Sequence, residues 1–212
     1  MDRSHFFQTL YQFCEGKIEL RVFGKDRAFI DQSTLMAIDA FCKRHHKHNV
    51  YFGVGTRDNS GKGRKENVNE IPSLWAEVDF KDTKPADVKK SLDCFPHRPS
   101  AAVLSGHGVH FYWFLKEPAT FEDFDTVEDI LRRICVAMSA DPSACEVARV
   151  LRVPGTVNVK RKPVPVKIHW LENYRYELTD FDLLPEVPTV KRGNGKSTNP
   201  PGWMIEAFKG IP

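Results

Sequence analysis

Two acidic residues, Glu77 and Asp79, alternate within the apolar segment LWAEVDFK. Side chains at positions i and i+2 of a strand point to the same face, so the two carboxylates lie about 6–7 Å apart, with apolar side chains on the other face. Like charges at that separation repel, and a divalent cation removes the repulsion. Oxygen ligands on a rigid strand suit Mg²⁺ or Mn²⁺. The pair therefore indicates a metal site, although an exposed edge strand with two ordinary acidic residues explains this segment equally well.

A glycine turn between two apolar runs, VLSGHGVHFYW, carries a second group of polar residues. Gly106 and Gly108 permit tight backbone geometry and expose main-chain N–H groups, as in loops that bind phosphate. His110 follows at the start of the next strand, where it can reach an anionic ligand. The alternative is an ordinary glycine hairpin with incidental histidines.

A third group of polar residues occurs in DPSACEVARVLRVPGTVNVK. Asp141, at an Asp-Pro step, adds a third carboxylate. Arg152 precedes a Pro-Gly turn, and Asn158 and Lys160 alternate on the strand after it, so both face one side. An arginine, an amide and a lysine that converge in this way suit a triphosphate, with bidentate contacts from the arginine and a point charge from the lysine. A surface hairpin with solvated cations is the alternative.

In combination, these motifs resemble those of the archaeo-eukaryotic primase superfamily. The shared order is an acidic pair, Ser-Gly-x-Gly-x-His, and a distal Asp before Arg-x-Pro-Gly-x-x-Asn-x-Lys. More specifically, the chain resembles the primase-polymerase domains of phages, plasmids and other mobile elements, over roughly residues 50–170. The resemblance implies template-dependent nucleotidyl transfer from nucleoside triphosphates by a two-metal mechanism, which makes or extends primers. It implies two Mg²⁺ or Mn²⁺ ions as cofactors. The implied partners are single-stranded DNA template and primer, and a fused or separate replicative helicase.

The resemblance also implies a role for each candidate residue. Glu77, Asp79 and Asp141 match the three metal-binding positions, although Glu77 departs from the more frequent Asp-x-Asp pattern. Glu146, which also precedes the Pro-Gly turn, is the alternative third ligand. His110 matches a histidine that contacts the phosphates of the incoming nucleotide and completes the catalytic set. The nucleotide-binding positions are matched by Ser105, Gly106, His107, His110, Arg152, Asn158 and Lys160.

A basic, glycine-containing segment, DNSGKGRKENVNEIP, precedes the acidic strand. A flexible basic loop at this place is suited to holding the template or a triphosphate. A loop that merely keeps the protein soluble is an equally good interpretation. The residues predicted to contact the template are Arg57, Lys62, Arg64 and Lys65.

The elements that must position these motifs are a mixture of helices and strands without strict alternation. Helical spacing occurs in HFFQTLYQFCEG, TLMAIDAFCKRHH, ADVKKSLDCF and FEDFDTVEDILRRICVAMSA. Strand patterns occur in IELRVFG, NVYFGVGTR, SLWAEVDF and VPVKIHWLE, and a hairpin pattern in AAVLSGHGVHFYWFL. This order predicts an α+β fold around a largely antiparallel sheet. The resemblance adds a primase-like core, with an N-terminal α/β module over about residues 1–70 and an RRM-like module over about residues 71–184.

The catalytic domain is therefore predicted to span residues 1–184 of the 212-residue chain. Residues 185–200 are rich in Pro, Gly and Lys and are predicted to be a linker. Residues 201–212 resemble the start of a helical C-terminal region that is cut short. The five cysteines are scattered and argue against disulfides. The sequence has no apolar run long enough for a signal peptide or a membrane span, so we expect a cytoplasmic protein without a membrane partner.

Two other functions remain open. The net charge of +3 indicates only a weak preference for anionic partners. A non-catalytic DNA-binding module for replication initiation would share the fold and the basic loop but would not need the acidic residues. A metal-dependent nuclease would use similar carboxylates but would not need the triphosphate set of Arg152, Asn158 and Lys160.

Overall fold

The structure is a computed structural model that describes residues 2–187. The α-helices in this range are α1 (Arg3–Leu10), α2 (Met36–Arg44), α3 (Pro85–Cys94) and α4 (Phe124–Met138). The strands are β1 (Ile18–Val22), β2 (Asp26–Ile30), β3 (Tyr51–Gly53), β4 (Ile71–Asp79), β5 (Ala101–Leu104), β6 (Gly108–Ala119), β7 (Val150–Arg152), β8 (Val157–Asn158), β9 (Val164–Pro165), β10 (Lys167–Leu171) and β11 (Arg175–Tyr176). Short 3₁₀ helices cover Gln32–Thr34, Lys65–Asn67, Phe121–Asp123, Pro142–Ala144 and Leu178–Leu183.

The N-terminal sheet has the strand order β2-β1-β3-β7, and its strands are antiparallel. Leu20, Phe52 and Leu151 are cross-strand partners in three successive strands, and all three are buried. Successive side chains of a strand point to opposite faces, so this row forms the core-facing side of the sheet. Because β7 follows α4 in the chain, the module predicted for residues 1–70 is completed by a strand from outside that range.

The second sheet is built around the long strand β6. Strands β4 and β5 pair antiparallel with β6, β10 pairs antiparallel with β5, and β11 pairs in parallel with the later part of β6. A separate two-stranded ribbon joins β8 and β9. Residues Gly108–Leu115 of β6 are buried, as expected for a central strand covered on both faces.

Helices α1 and α4 cover the second sheet. The Phe6 ring of α1 lies 6.0 Å from Phe52 of the N-terminal sheet and 5.4 Å from Tyr112 of β6, so α1 packs between the two sheets. Helix α4 packs on β4 and buries an apolar stripe that includes Val127 and Ile134, spaced seven residues apart as helical periodicity requires. One hydrophobic core therefore connects both sheets.

The predicted α+β fold with a largely antiparallel sheet is confirmed. Strand β2 was missed, because DRAFI combines two charged residues with a short edge strand and lacks a clear alternation of apolar residues. Within residues 2–187, the structure has no helix that is both long and apolar enough to cross a membrane. The predicted linker falls outside the described residues from position 188 onward, and so does the predicted helical region at 201–212.

Candidate active site

The acidic pair lies at the end of β4, as its alternation predicted. Glu77 is paired with His110 of β6, and Asp79 with Gly108, while Val78 between the two acids is buried in the core. The Asp79 carboxylate accepts a 2.9 Å hydrogen bond from the main-chain N–H of Lys81. Both carboxylates therefore lie on the same, solvent-facing side of β4.

An open pocket with an empty volume of about 460 Å³ lies against this pair. Its lining includes the carboxylates of Glu77 and Asp79, here called the acidic wall, and the side chains of Arg152, Lys160 and Arg161, here called the basic wall. Most of the lining residues were predicted from the three sequence motifs. Arg161, an exposed residue that continues the basic run after Lys160, was missed although its position beside that motif was a visible signal. The lining residues are Glu77, Val78, Asp79, Ser105, His107, Gly108, Arg152, Asn158, Lys160 and Arg161.

His110 lies behind the acidic pair and does not line the pocket. Its side chain is buried, its Nε2 is 3.7 Å from Oε1 of Glu77, and its Nδ1 has no hydrogen-bond partner within the described part of the chain. Burial raises the pKa of the Glu77 carboxyl, but the adjacent imidazole and the positive charges of Arg149 and Arg152 outweigh it and hold that pKa below its ordinary value. The geometry therefore favours an ionised Glu77. The predicted contact of His110 with phosphate stays a prediction.

The glycine turn between β5 and β6 is held by Asn158. Gly106 adopts φ +95°, and the main-chain N–H of Ser105 donates a 2.9 Å hydrogen bond to the carbonyl of Gly108. The Asn158 amide donates to the carbonyl of Ser105 at 2.8 Å and accepts from the main-chain N–H of Lys160 at 3.1 Å. A Cβ atom at Gly106 would lie only 2.9 Å from Cβ of Asn158. Asn158 thus joins two of the motifs, and its predicted contact with nucleotide stays a prediction.

Arg152 forms the basic wall together with Lys160 and Arg161. Its Nη1 donates a 2.7 Å hydrogen bond to Oδ1 of Asn49, and its guanidinium lies 5.0 Å from the centre of the Tyr51 ring. Asn49 was not predicted as a site residue. It belongs to none of the motifs and reaches the site only because β3 pairs with β7.

The two candidates for the third metal ligand, Asp141 and Glu146, lie in different surroundings. The main-chain N–H of Asp141 donates to the carbonyl of Glu77 at 2.8 Å, so Asp141 lies directly beside the acidic strand. Its carboxylate accepts a 2.8 Å hydrogen bond from the N–H of Ser143 and does not line the pocket. The side chain of Glu146 is 59% exposed, and its carboxylate lies 4.0 Å from Arg149. The backbone position favours Asp141, and its role as a ligand stays a prediction.

The two pocket carboxylates are suitable donors for a hard divalent cation. Mg²⁺ is commonly held by one or two carboxylates together with substrate phosphates and water, and Glu77 with Asp79 supplies such a pair. Among residues 2–187, His, Cys, Asp and Glu side chains form no group of three or more that could hold a metal ion. The residues present therefore fit a cation that shares its ligands with a bound substrate, rather than a closed protein cage.

The loop predicted to contact the template is only partly accessible, and its contact with a template stays a prediction. Lys62 and Arg64 are exposed, and Lys65 forms a 2.8 Å ion pair with Glu128. Arg57 is fully buried, where its Nε donates to Glu19 at 2.9 Å, so it is not accessible to a template and its assignment is corrected. The sequence did not indicate that Arg57 is buried, because its acidic partner, Glu19, lies 38 positions away on β1.

No family model matches this chain. A curated relative, a replication protein of Clostridium perfringens, is 28% identical over 145 residues, which is 63% of this chain and 35% of that protein. The chain thus spans about a third of the length of this relative.

The fold is similar to those of solved primase structures. The AEP domain of the cyanophage S-2L primase-polymerase superposes with a TM-score of 0.67 at 18% identity, over 87% of this chain and 97% of that one. The catalytic domain of primase RepB′, in complex with initiator DNA, gives a TM-score of 0.60 at 13% identity, over 85% of this chain and 94% of that one. These similarities confirm the primase-like fold that the sequence motifs predicted.

Proposed function

Because the chain has the fold of an archaeo-eukaryotic primase-polymerase domain, we propose that it is a nucleotidyltransferase that makes or extends strands on single-stranded DNA. One observation carries this proposal: the acidic wall of Glu77 and Asp79 and the basic wall of Arg152, Lys160 and Arg161 line the same pocket. A nucleoside triphosphate needs both walls. A nuclease would need only the acidic one, and a non-catalytic DNA-binding module would not need the acidic one.

The basic wall would bind and orient the triphosphate. Arg152, fixed by Asn49 and stacked on Tyr51, presents its guanidinium in one orientation, which suits bidentate contact with phosphate oxygens. Lys160 and Arg161 are exposed at the mouth and add charge that attracts the nucleotide. The main contribution of these residues is positioning, which can lower a barrier by several kcal/mol, roughly 7–11 in the best cases.

The acidic wall would hold the metal ions. Glu77 and Asp79 are the proposed ligands, and Asp141, which lies beside the acidic strand but does not line the pocket, stays the candidate for a third. When bound, Mg²⁺ or Mn²⁺ would supply activation of the attacking 3′-hydroxyl and neutralisation of charge on the phosphates. His110 would act through Glu77, because its buried imidazole lies beside that carboxylate and helps to hold the pKa of the carboxyl below its ordinary value.

DNA is proposed as template and primer because of the proteins that this chain resembles. The curated relative is a replication protein, and the RepB′ catalytic domain was solved with initiator DNA. A replicative helicase, fused or separate, is a further proposed partner, since the curated relative is much longer than this chain.

Charge removal at Asp79 tests the proposal. Asp79→Asn keeps an oxygen that can accept from the N–H of Lys81 but removes the negative charge, so the fold should survive. We expect nucleotide incorporation on single-stranded template with Mn²⁺ to fall to background. Asp82→Asn, two-thirds exposed and outside the pocket, is the matched control and should incorporate normally. Incorporation retained by Asp79→Asn would contradict the proposal, and metal-dependent strand cleavage without incorporation by the wild type would identify a nuclease instead.

A further inference from the structure

A row of arginine and aromatic side chains lies on the face of the N-terminal sheet that points away from the core. Arg27, Arg21, Tyr51 and Arg152 are cross-strand partners in β2, β1, β3 and β7, one position along from the buried row. Cross-strand partners point to the same face of a sheet. Phe23, two residues after Arg21, joins them at the end of β1. These five residues are called the sheet band below.

The rings and guanidinium groups of the sheet band contact one another in sequence. Arg152 lies 5.0 Å from the centre of the Tyr51 ring, and the Tyr51 and Phe23 rings lie 5.0 Å apart, edge to face. Arg21 lies 5.5 Å from the Phe23 ring, which is 58% exposed. Since Arg152 also lines the pocket, the sheet band is a continuous surface that begins at the proposed nucleotide site.

The face of the N-terminal sheet that carries the sheet band is positively charged, although the buried carboxylate of Glu19 lies beneath it. The carboxylate of Glu19 is within 4 Å of three guanidinium groups, those of Arg21, Arg27 and Arg57, so three positive charges share one negative charge. The carbonyl of Gly63 accepts a 3.2 Å hydrogen bond from Arg21, which places the basic loop against the same face. Two exposed cations of that loop, Lys62 and Arg64, extend the positive surface, and Arg64 shares its charge with Glu66 at 3.6 Å.

We infer that the sheet band binds a single strand of nucleic acid beside the nucleotide pocket. Bases would stack on Phe23 and Tyr51, and phosphates would contact Arg27, Lys62 and Arg64. Surfaces that bind single strands combine aromatic platforms with a positive path along the backbone, and both are present here. The inference rests on the proposed function only in naming this strand as the template.

The accumulated positive charge of the sheet band favours nucleic acid over a protein partner. Aromatic residues and arginine are also enriched in protein interfaces, but the core of such an interface is depleted of charge as a whole. Here, by contrast, each ring is flanked by a guanidinium group, and the exposed ring of Phe23 lies between Arg21 and Tyr51.

Binding of a fluorescently labelled, mixed-sequence single-stranded DNA, measured by anisotropy, tests the inference. Phe23→Ala should raise the Kd about fivefold or more, the lower end of the effect of losing one stacked base. Phe23→Trp, which keeps an aromatic surface, should bind like the wild type. Phe121→Ala is the matched control, because Phe121 is 79% exposed and lies outside the sheet band. Equal affinities for Phe23→Ala and Phe121→Ala would overturn the inference.

The salt dependence of the same binding reaction gives a second readout. Each phosphate contact adds about 0.7 to the slope of log K against log salt for a single strand. We expect the slope to become shallower by roughly that amount in Lys62→Ala and again in Arg64→Ala. An unchanged slope in both variants would contradict the placement of the backbone beside the loop.

Nucleotide incorporation, measured on the same variants, separates this inference from the proposed function. If the wild type incorporates nucleotides while Phe23→Ala binds DNA normally, the sheet band does not bind DNA, and the proposed function is upheld. If Phe23→Ala loses DNA binding while the wild type incorporates no nucleotide, the sheet band is a DNA-binding surface, and the proposed function is wrong.

Discussion

The side-chain oxygen of Asn49 accepts a 2.7 Å hydrogen bond from Nη1 of Arg152, and the same oxygen accepts a 2.8 Å hydrogen bond from the main-chain N–H of Val159. Asn49 precedes β3, whereas its two donors come from β7 and from the segment that follows β8. One oxygen atom therefore fixes the distance between the guanidinium of Arg152 and the backbone that carries Lys160. Asn49 is a positioning residue for the basic wall of the pocket.

Substitution of Asn49 should weaken nucleotide binding more than it slows turnover. Asn49→Ala frees both donors, and we expect the KM for the incoming nucleotide to rise about tenfold, equivalent to ~1.4 kcal/mol, with a smaller change in kcat. Steady-state primer extension at varied nucleotide concentration measures both constants.

The conservative variant distinguishes positioning from a general loss of stability. Asn49→Asp keeps an acceptor oxygen for both donors but adds a negative charge beside Arg152, so its KM should lie between those of the wild type and of the Ala variant. Asn69→Ala, at an exposed position outside the pocket, is the control for a harmless substitution. An Asp variant as impaired as the Ala variant would argue against the positioning role.

The buried ion pair of Glu19 and Arg57 should be important for stability. The Arg57 side chain also donates to the carbonyls of Gly55 and Ala148, so it links β1 to the segment before β7. Glu19→Ala leaves a buried guanidinium without its carboxylate, a change that typically costs about 3–5 kcal/mol. Urea unfolding should show a loss of this size. Glu66→Ala, at a 64% exposed side chain, should change the free energy of unfolding by no more than about 0.5 kcal/mol. Similar losses for both variants would contradict this prediction.

Gly108 should tolerate no side chain. A Cβ atom there would overlap the carbonyl of Val78 on the paired strand, next to Asp79. Gly108→Ala must push β4 and β6 apart, so we expect a destabilisation of about 3 kcal/mol and loss of incorporation. Gly61→Ala is the comparison, because Gly61 has a positive φ but nothing within 4 Å of the new atom. It should lose only about 1–2 kcal/mol, the ordinary cost of a left-handed conformation. Urea unfolding of both variants measures the difference, and equal losses would rule out the proposed overlap.

The cysteines should differ widely in reactivity. Burial raises the pKa of the Cys42 thiol to about 11, with a further upward contribution from Asp39 and an opposing one from Arg3. At pH 8 only about 0.1% of this thiol would be ionised, and the thiolate is the reactive form. Cys94 is exposed. Brief treatment with iodoacetamide, followed by peptide mass spectrometry, should therefore label Cys94 and leave Cys42 unmodified until the protein is unfolded. Early labelling of Cys42 would show that α2 opens in the native state.

The sequence by itself determined the features that depend on neighbouring residues. The alternation in AEVD places Glu77 and Asp79 on one face because the period of a strand is two. The glycines of SGHG predicted a tight turn, and Gly106 indeed adopts a positive φ. The order of helical and strand patterns predicted an α+β fold, and the resemblance carried by the order of the motifs implied that this fold is primase-like.

Only the tertiary structure decided which of these groups meet and which are buried. Asn49 and Arg152 are 103 positions apart, and Glu19 and Arg57 are 38 apart, so no local pattern indicates either pair. The placement of His110 behind Glu77 likewise follows from the register between β4 and β6. A charged or polar side chain is exposed, buried or oriented according to the partner that the fold brings to it. Pairing between strands that are far apart in the sequence determines that partner. Local periodicity contains no information about such pairing.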